Sequence, residues 1–443
     1  MRGGASIRRL WPAALIALAL LCAPALAGAS VGPFAMSIQP DGKIVVAGGA
    51  GHEVPIGSRE FGAVMRYLPS GRLDRSFGGG DGVTLLPPAQ PFTAIAIQRD
   101  GRIVVASPVG GQGGLVRLLP SGNLDLRFGE KGFLYGGAST AYYPTSVKVD
   151  RKGRIFVGGM TGYLNDVNQH WYGWLYRVSA NGRSGDRIAG MTNGENGQPR
   201  TVINDFVFGE QGVLSAGTIG ERGSAAETNN AVLARLVPGT AEADPSFGGG
   251  VGLVRSNVYP ASTEPETANA LAWQGEKLLI AGEANSDLLV SRYSADGLLD
   301  MSFGRRGFNT VGFGPATDDR ANALAVDLHG GIVAAGSSSH GCASGCDSLL
   351  LARYGKNGQP VKKFGRGGIV SPAVDRGRSS SASETAYAVG VRGQGRILVG
   401  GVFATPGSSR LFLRRYLADG TPDRSFGKRG RVATLPVAAE RAR

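Results

Sequence analysis

The chain has 443 residues, with 47 Lys and Arg against 34 Asp and Glu, a formal net charge of +13, and 72 glycines. Its basic residues form no run and no strip interleaved with aromatics, which argues against a dedicated nucleic-acid binder, while the balance favours contact with acidic polymers such as teichoic acids or acidic polysaccharide. After the first apolar run no stretch has the ~18 consecutive apolar residues of a membrane helix, so no membrane span is expected.

The N-terminus carries Arg2, Arg8 and Arg9, then apolar residues from Leu10 to Ala23, then Ala25-Leu-Ala27. This is the three-part layout of a secretory signal peptide, too short to span a membrane comfortably. Residues 1–27 read as a signal peptide and 28–443 as one domain of an exported, secreted or wall-associated protein. Without the three arginines the charge falls to about +10.

Behind the leader one sentence of sequence is written seven times. It begins Ile38-Gln-Pro-Asp-Gly-Lys-Ile-Val-Val-Ala-Gly48 and resumes at Val64-Met-Arg-Tyr-Leu-Pro-Ser-Gly-Arg-Leu-Asp-Arg-Ser-Phe-Gly78. The strand-like core returns at Ile103, Ile155, Val213, Leu278, Ile332 and Ile397, about 60 residues apart on average. A period of this size, rich in short β-branched runs, predicts an all-β fold: a seven-bladed β-propeller of four-stranded antiparallel blades.

In unit one Phe34 to Ile38 reads as strand A, Pro40-Asp-Gly42 as a turn, Ile44 to Ala47 as strand B and Ala63 to Leu68 as strand C. Pro40 to Gly42 and Pro69 to Gly71 suit hairpins in which Gly takes the left-handed position. The second turn sets Arg66 opposite Asp74, and the same spacing pairs Arg117 with Asp125, Arg292 with Asp300 and Arg415 with Asp423. Arg177, Arg235 and Arg353 hold this place in the other units. A structural cross-strand pair is the expected role, ahead of an anion-binding ring.

The motif Asp-Gly-Lys-Ile-Val-Val-Ala-Gly followed by Arg-Tyr-x-x-x-Gly-x-Leu-Asp-x-Ser-Phe-Gly resembles the bacterial delta-60 repeat family, and its blade rhythm is similar to that of NHL-type propellers. The resemblance is strongest in units one, two, five and seven. Unit three lacks the Ser-Phe-Gly close, and unit four replaces the Asp-Gly turn with Gly209-Glu-Gln-Gly212. The resemblance implies a secreted or surface β-propeller and transfers no catalytic residue.

Antiparallel order puts the A–B and C–D turns on one face of the disc and the long, variable B–C and D–A connections on the other. Recognition is expected on the variable face. Its aromatic-dense loop runs from Tyr163 to Trp174, with Tyr142 and Tyr143 in the incoming connection. Rings with amides and an acid suit a sugar, so Trp171, Tyr172 and Tyr143, with Asp166 and His170 as polar partners, are the candidate glycan site. Packing between blades is the competing reading, Trp174 above all.

Cys342 and Cys346 remain after removal of the leader, and an even count in an exported chain favours a disulfide. Zinc would need two further ligands, and only His340 and Asp347 lie near in sequence. Glu264, Glu266, Asp318 and Asp319 read as solvated loop charges, with no Asp-x-Asp-x-Asp ladder. No histidine stands in a His-x-x-x-His frame, so no catalytic residue, metal or cofactor is assigned. The expected function is a binding or interaction scaffold for extracellular glycan, an anionic cell-envelope polymer or a protein partner. The alternative is a propeller-type hydrolase or lyase acting on extracellular polysaccharide.

Overall fold

The computed structural model describes residues 34–433, apart from the connections at 51–60, 87–91, 109–113, 136–139, 164–170, 192–199, 221–228, 238–242, 261–265, 341–345 and 372–381 and a few shorter gaps. The leader lies outside the described residues. Seven four-stranded sheets follow one another along the chain, each made of consecutive antiparallel strands. In blade one the strands are β1 Phe34–Ile38, β2 Ile44–Ala50, β3 Phe61–Tyr67 and β4 Val83–Leu86. The last blade closes on itself: Arg431–Ala433 pairs with Ser408–Tyr416, so the ring shuts by packing and not by strand exchange. Among the described residues no helix is long and apolar enough to cross a membrane.

The apolar residues cluster between blades, not within them. Each of the seven core clusters draws on two neighbouring blades, the last joining Phe34, Ile44 and Met65 of blade one to Leu411, Leu413 and Phe426 of blade seven. Strand B shows why the repeat reads as a continuous apolar run: Ile103–Ser107 is buried at every position, because both of its faces meet a neighbouring blade. The first strands of consecutive blades are spatial neighbours all round the ring, including the pair of blades seven and one.

The expected hairpin register is observed: Leu68 N–H donates to Arg72 O at 2.8 Å, and Asp74 N–H to Arg66 O at 2.8 Å. One detail differs from the sequence expectation. Asp74 does not stand in strand D, which begins only at Val83. The chain first makes an isolated bridge, Tyr67 to Leu73, then turns through Ser76-Phe77-Gly78. That excursion buries Phe77 completely between blades.

Cross-strand pairing is only half of what the strand C arginine does. Arg66 Nε donates to Asp74 Oδ2 at 2.8 Å, its guanidinium lies 4.6 Å over the Phe77 ring, and Nη1 reaches the Pro120 carbonyl of blade two at 2.6 Å. The backbone adds Gly78 N–H to Ser121 O. This latch recurs from blade two to three through Arg117, five to six through Arg292, six to seven through Arg353 and seven to one through Arg415, whose Nη1 donates to Pro69 O at 2.6 Å. From blade four to five Arg235 reaches the Asp296 carboxylate instead. In unit six, where Val361 replaces the acid, Arg353 takes Asp327 from the A–B turn. The receiving turn must be glycine on two counts: Gly122 has φ 91°, and a Cβ there would meet the Phe77 ring at 2.8 Å.

A second, inner set of links comes from strand A. Thr93, Thr145, Asn204, Asn269 and Asn322 each donate a side-chain hydrogen bond to a strand A carbonyl of the next blade: Pro144, Ile203, Ala268, Ala321 and Ala386. The last four lie at β-bulges that shift the register by one residue.

Burial alone would raise the Asp74 carboxyl, but the Ser76 hydroxyl and amide, together with Arg66 and Lys43, hold it down at about 2. A depressed folded value means that this stabilisation is complete above the ordinary carboxylate range and is lost as pH falls toward about 2. The Arg117 and Asp125 side chains are 7% and 3% exposed, against 34% and 56% for Arg177 and Asp186. Arg117→Met leaves Asp125 with Arg102, whose Nε stands 3.2 Å away, and removes the link to the Ala180 carbonyl, so it should cost about 1.5–3 kcal/mol, whereas Arg177→Met should cost about 0–1 kcal/mol. Denaturant melts of the two variants at neutral pH check this, and equal losses would contradict it.

Candidate functional site

The residues singled out for glycan binding sit at the variable end of blade three. Tyr143 is half-buried in strand Thr140–Val149, opposite Met160. Trp171 and Tyr172 open strand Trp171–Val178, opposite Gly162 and Thr161. The register places Trp171 two rows from Tyr143 and Tyr172 in the row between. Asp166 and His170 lie outside the described residues. Trp174 takes the packing role: it is 5% exposed, sits in the core between blades two and three, and meets the Tyr176 ring edge-on at 5.1 Å.

Glu266 and Asp319, expected as solvated loop charges, are instead buried at the start of strand A. Glu266 Oε1 accepts from the Val258 and Tyr259 amides, and Asp319 Oδ2 accepts from the Phe313 amide and the Thr317 hydroxyl. They tie down the incoming connection, and burial pushes the Glu266 carboxyl up. His340 stacks on Phe313 at 4.7 Å. Cys346 is buried, while Cys342 lies outside the described residues. Among the described residues no group of three or more His, Cys, Asp or Glu is arranged to hold a metal.

A cavity of about 970 Å³ lies on the opposite face, among the turns. It opens over blades three, four and five, where the repeat departs from its pattern twice in succession. Unit three has no Ser-Phe-Gly, so its chain passes from the C–D turn directly into strand Gly185–Met191. No latch phenylalanine fills the space beyond it. Arg177, which would head that latch, is held within its own blade by Asp186.

The A–B turns change as well. In blades two, five and seven they link blades: Gln98 donates to Gly153 O, Gln274 to Gly330 O, and Arg392 to Gln39 O. In blade three the equivalent residue is Asp150, which folds back to accept from the Lys152 and Arg154 amides and from Arg154 Nε at 2.6 Å. In blade four the short Gly209–Gly212 turn leaves Phe208 partly uncovered, and Trp273 of blade five reaches back to donate to Phe208 O at 2.9 Å. The result is a floor of Phe156, Phe208 and Trp273, with Phe156 and Phe208 edge-to-face at 4.8 Å. The inner links survive here: Thr145 to Ile203 O, and Ser146 and Lys148 to Asp205.

The same face is strongly basic. Its turns and Ser-Phe-Gly loops carry about twice as many Lys and Arg as Asp and Glu, counting the latch arginines. The bias peaks in blades six and seven, where segments 355–368 and 392–396 expose Lys356, Lys362, Lys363, Arg366, Arg392 and Arg396 and contain no acid. At the seam of blades seven and one, Lys428, Arg429 and Arg431 line a further hollow of about 620 Å³. Lys131, Arg306 and Arg429 adopt φ of 50°, 58° and 55°, the left-handed region, where unit six has Gly367. Each such side chain costs roughly 1 kcal/mol relative to glycine, so these loops carry basic residues against local backbone preference.

Both departures of units three and four are visible in the sequence. What was missed is that consecutive units lacking a filler and a full turn leave a shared hollow, and that the stereotyped turns, not the variable loops, gather the charge.

Four segments, residues 39–77, 98–128, 277–303 and 395–426, match the model of a family described as a β-propeller domain of unknown function, DUF5122. No curated protein matches the chain. Similar solved structures include virginiamycin B lyase from Staphylococcus aureus, at 9% identity and TM-score 0.45, covering 86% of this chain and 93% of that one. Sqt1 from Saccharomyces cerevisiae is similar at 8% identity and TM-score 0.45, covering 87% and 82%. The PQQ-bound aldose sugar dehydrogenase from Streptomyces coelicolor is similar at 13% identity and TM-score 0.40, covering 68% and 86%.

Proposed function

We propose that the protein is an exported binding scaffold of the delta-60 repeat type whose turn face docks an acidic polysaccharide of the cell envelope or its surroundings. The observation that carries this is the segregation of charge: exposed Lys and Arg crowd the turns of blades six and seven with no acid in segments 355–368 and 392–396. A row of cations on a rigid disc suits a linear polyanion, whose repeated carboxylates meet several fixed charges at once. Export rests on the layout of residues 1–27.

Polygalacturonate is the direct probe, with dextran as the neutral control. Binding should weaken several-fold as ionic strength rises from about 50 to about 300 mM, because the Debye length shortens below the spacing of exposed charges. The triple variant Lys362→Glu, Lys363→Glu, Arg366→Glu should bind at least tenfold more weakly, roughly 1.4 kcal/mol, with an unchanged melt. Salt-insensitive binding, no binding, or full affinity in the triple variant would overturn the reading. The aromatic positions Trp171, Tyr172 and Tyr143, with Asp166 and His170, are a second proposed place for glycan, on the opposite face. Loss of polygalacturonate or dextran binding in Trp171→Ala alone would move the site there.

A disulfide between Cys342 and Cys346 belongs to the same exported state, since an even cysteine count persists after the leader. Alkylation of the exported protein without reduction should leave both unlabelled by mass spectrometry. Labelling of both would point to free thiols.

A further inference from the structure

The cavity over blades three to five has a different character from the rest of its face, because its walls carry opposite charges. Blade three contributes Arg151, Lys152, Arg154 and Arg177, while blades four and five contribute Glu210, Glu276 and Asp296. Several of these charges are already engaged: Arg154 with Asp150, Arg177 with Asp186, and Asp296 with Arg235. Arg151 and Lys152 are exposed on one blade, and Glu210 and Glu276 on the two others. Between them lie Phe156, Phe208 and Trp273. The Trp273 indole N–H is spent on the Phe208 carbonyl, so the ring offers a ligand apolar contact.

A uniform polyanion is a poor match for this site, since Glu210 and Glu276 would repel it. A volume of about 970 Å³ corresponds to roughly 10 Å across, the span of an extended tripeptide at about 3.3–3.6 Å per residue. We infer that the cavity binds a short zwitterionic peptide, with its carboxylate at Arg151 and Lys152, its ammonium at Glu210 and Glu276, and an apolar side chain against Phe208 and Trp273. Charge-assisted contacts at both ends select for free termini, and the aromatic floor supplies the burial. This site shares the turn face with the polysaccharide site but uses none of its residues in segments 355–368 and 392–396, so each can fail without the other.

The test is calorimetry on the mature chain with trileucine bearing free termini, against its N-acetylated and C-amidated forms. Free trileucine should bind at least tenfold more tightly than either blocked form. Lys152→Glu should erase the preference for a free carboxylate and leave the preference for a free amine. Glu276→Lys, on the exposed rim, should do the reverse without moving the melt. Trp273→Ala should weaken all three peptides about tenfold, and Lys362→Glu should change none. Equal binding of free and blocked forms, no binding of free trileucine, or unchanged preferences in both rim variants would overturn the inference.

Discussion

Among the described residues a blade of this propeller makes no ladder hydrogen bond to its neighbour, so the ring depends on what passes between sheets. The strand C arginine is the key link. It pairs with an acid of its own blade, lies over the phenylalanine of the Ser-Phe-Gly loop, and spends a remaining N–H on the next blade's turn. A buried ion pair alone is weak evidence of stability, because desolvation offsets Coulomb attraction. Here the guanidinium is also hydrogen-bonded across the seam and stacked on a ring that fills the seam. Position along the ring is thereby set as much as energy is gained. Closure from Arg415 to Pro69 repeats the link between distant parts of the sequence.

Much of the fold was legible because a repeat reports its errors. Hairpin turns recur with glycine at the left-handed place, strand B reads apolar at every position, and seven copies fit a ring. The Arg66 and Asp74 pairing followed from turn length alone. What sequence could not show was the far end of the same side chain, since Pro120 lies 54 positions away and contributes only a backbone carbonyl. The inner links were hidden for a similar reason: Ala-Asn-Ala-Leu-Ala recurs at 268–272 and 321–325, but the carbonyl that Asn269 bonds lies 52 positions away and carries no side-chain signal.

The site was harder to read because it is made by subtraction. Unit three lacks a phenylalanine and unit four lacks a full turn, and either alone would look like drift. Together they expose Phe208 and draw Trp273 across to it. The aromatic loop of unit three drew attention by composition, while the turns looked too uniform to matter. Uniform turns on one face nevertheless sum their charges, and in blades six and seven segments 355–368 and 392–396 do so without an acid of their own. Glu266 and Asp319 mislead in the opposite sense, since loop acids by sequence are buried caps in the fold.

Hydrogen exchange around the ring tests the central claim, that one latch joins the blades and is broken after blade three. The amides of Gly78, Gly129, Gly304, Gly365 and Gly427 each donate to the next blade's turn, so peptides covering them should exchange slowly and together. Peptides covering the turn at 209–212, beyond the unlatched junction, should exchange distinctly faster in the same protein. Uniform protection at all seven junctions, or protection lost first at one of the latched junctions, would contradict the account.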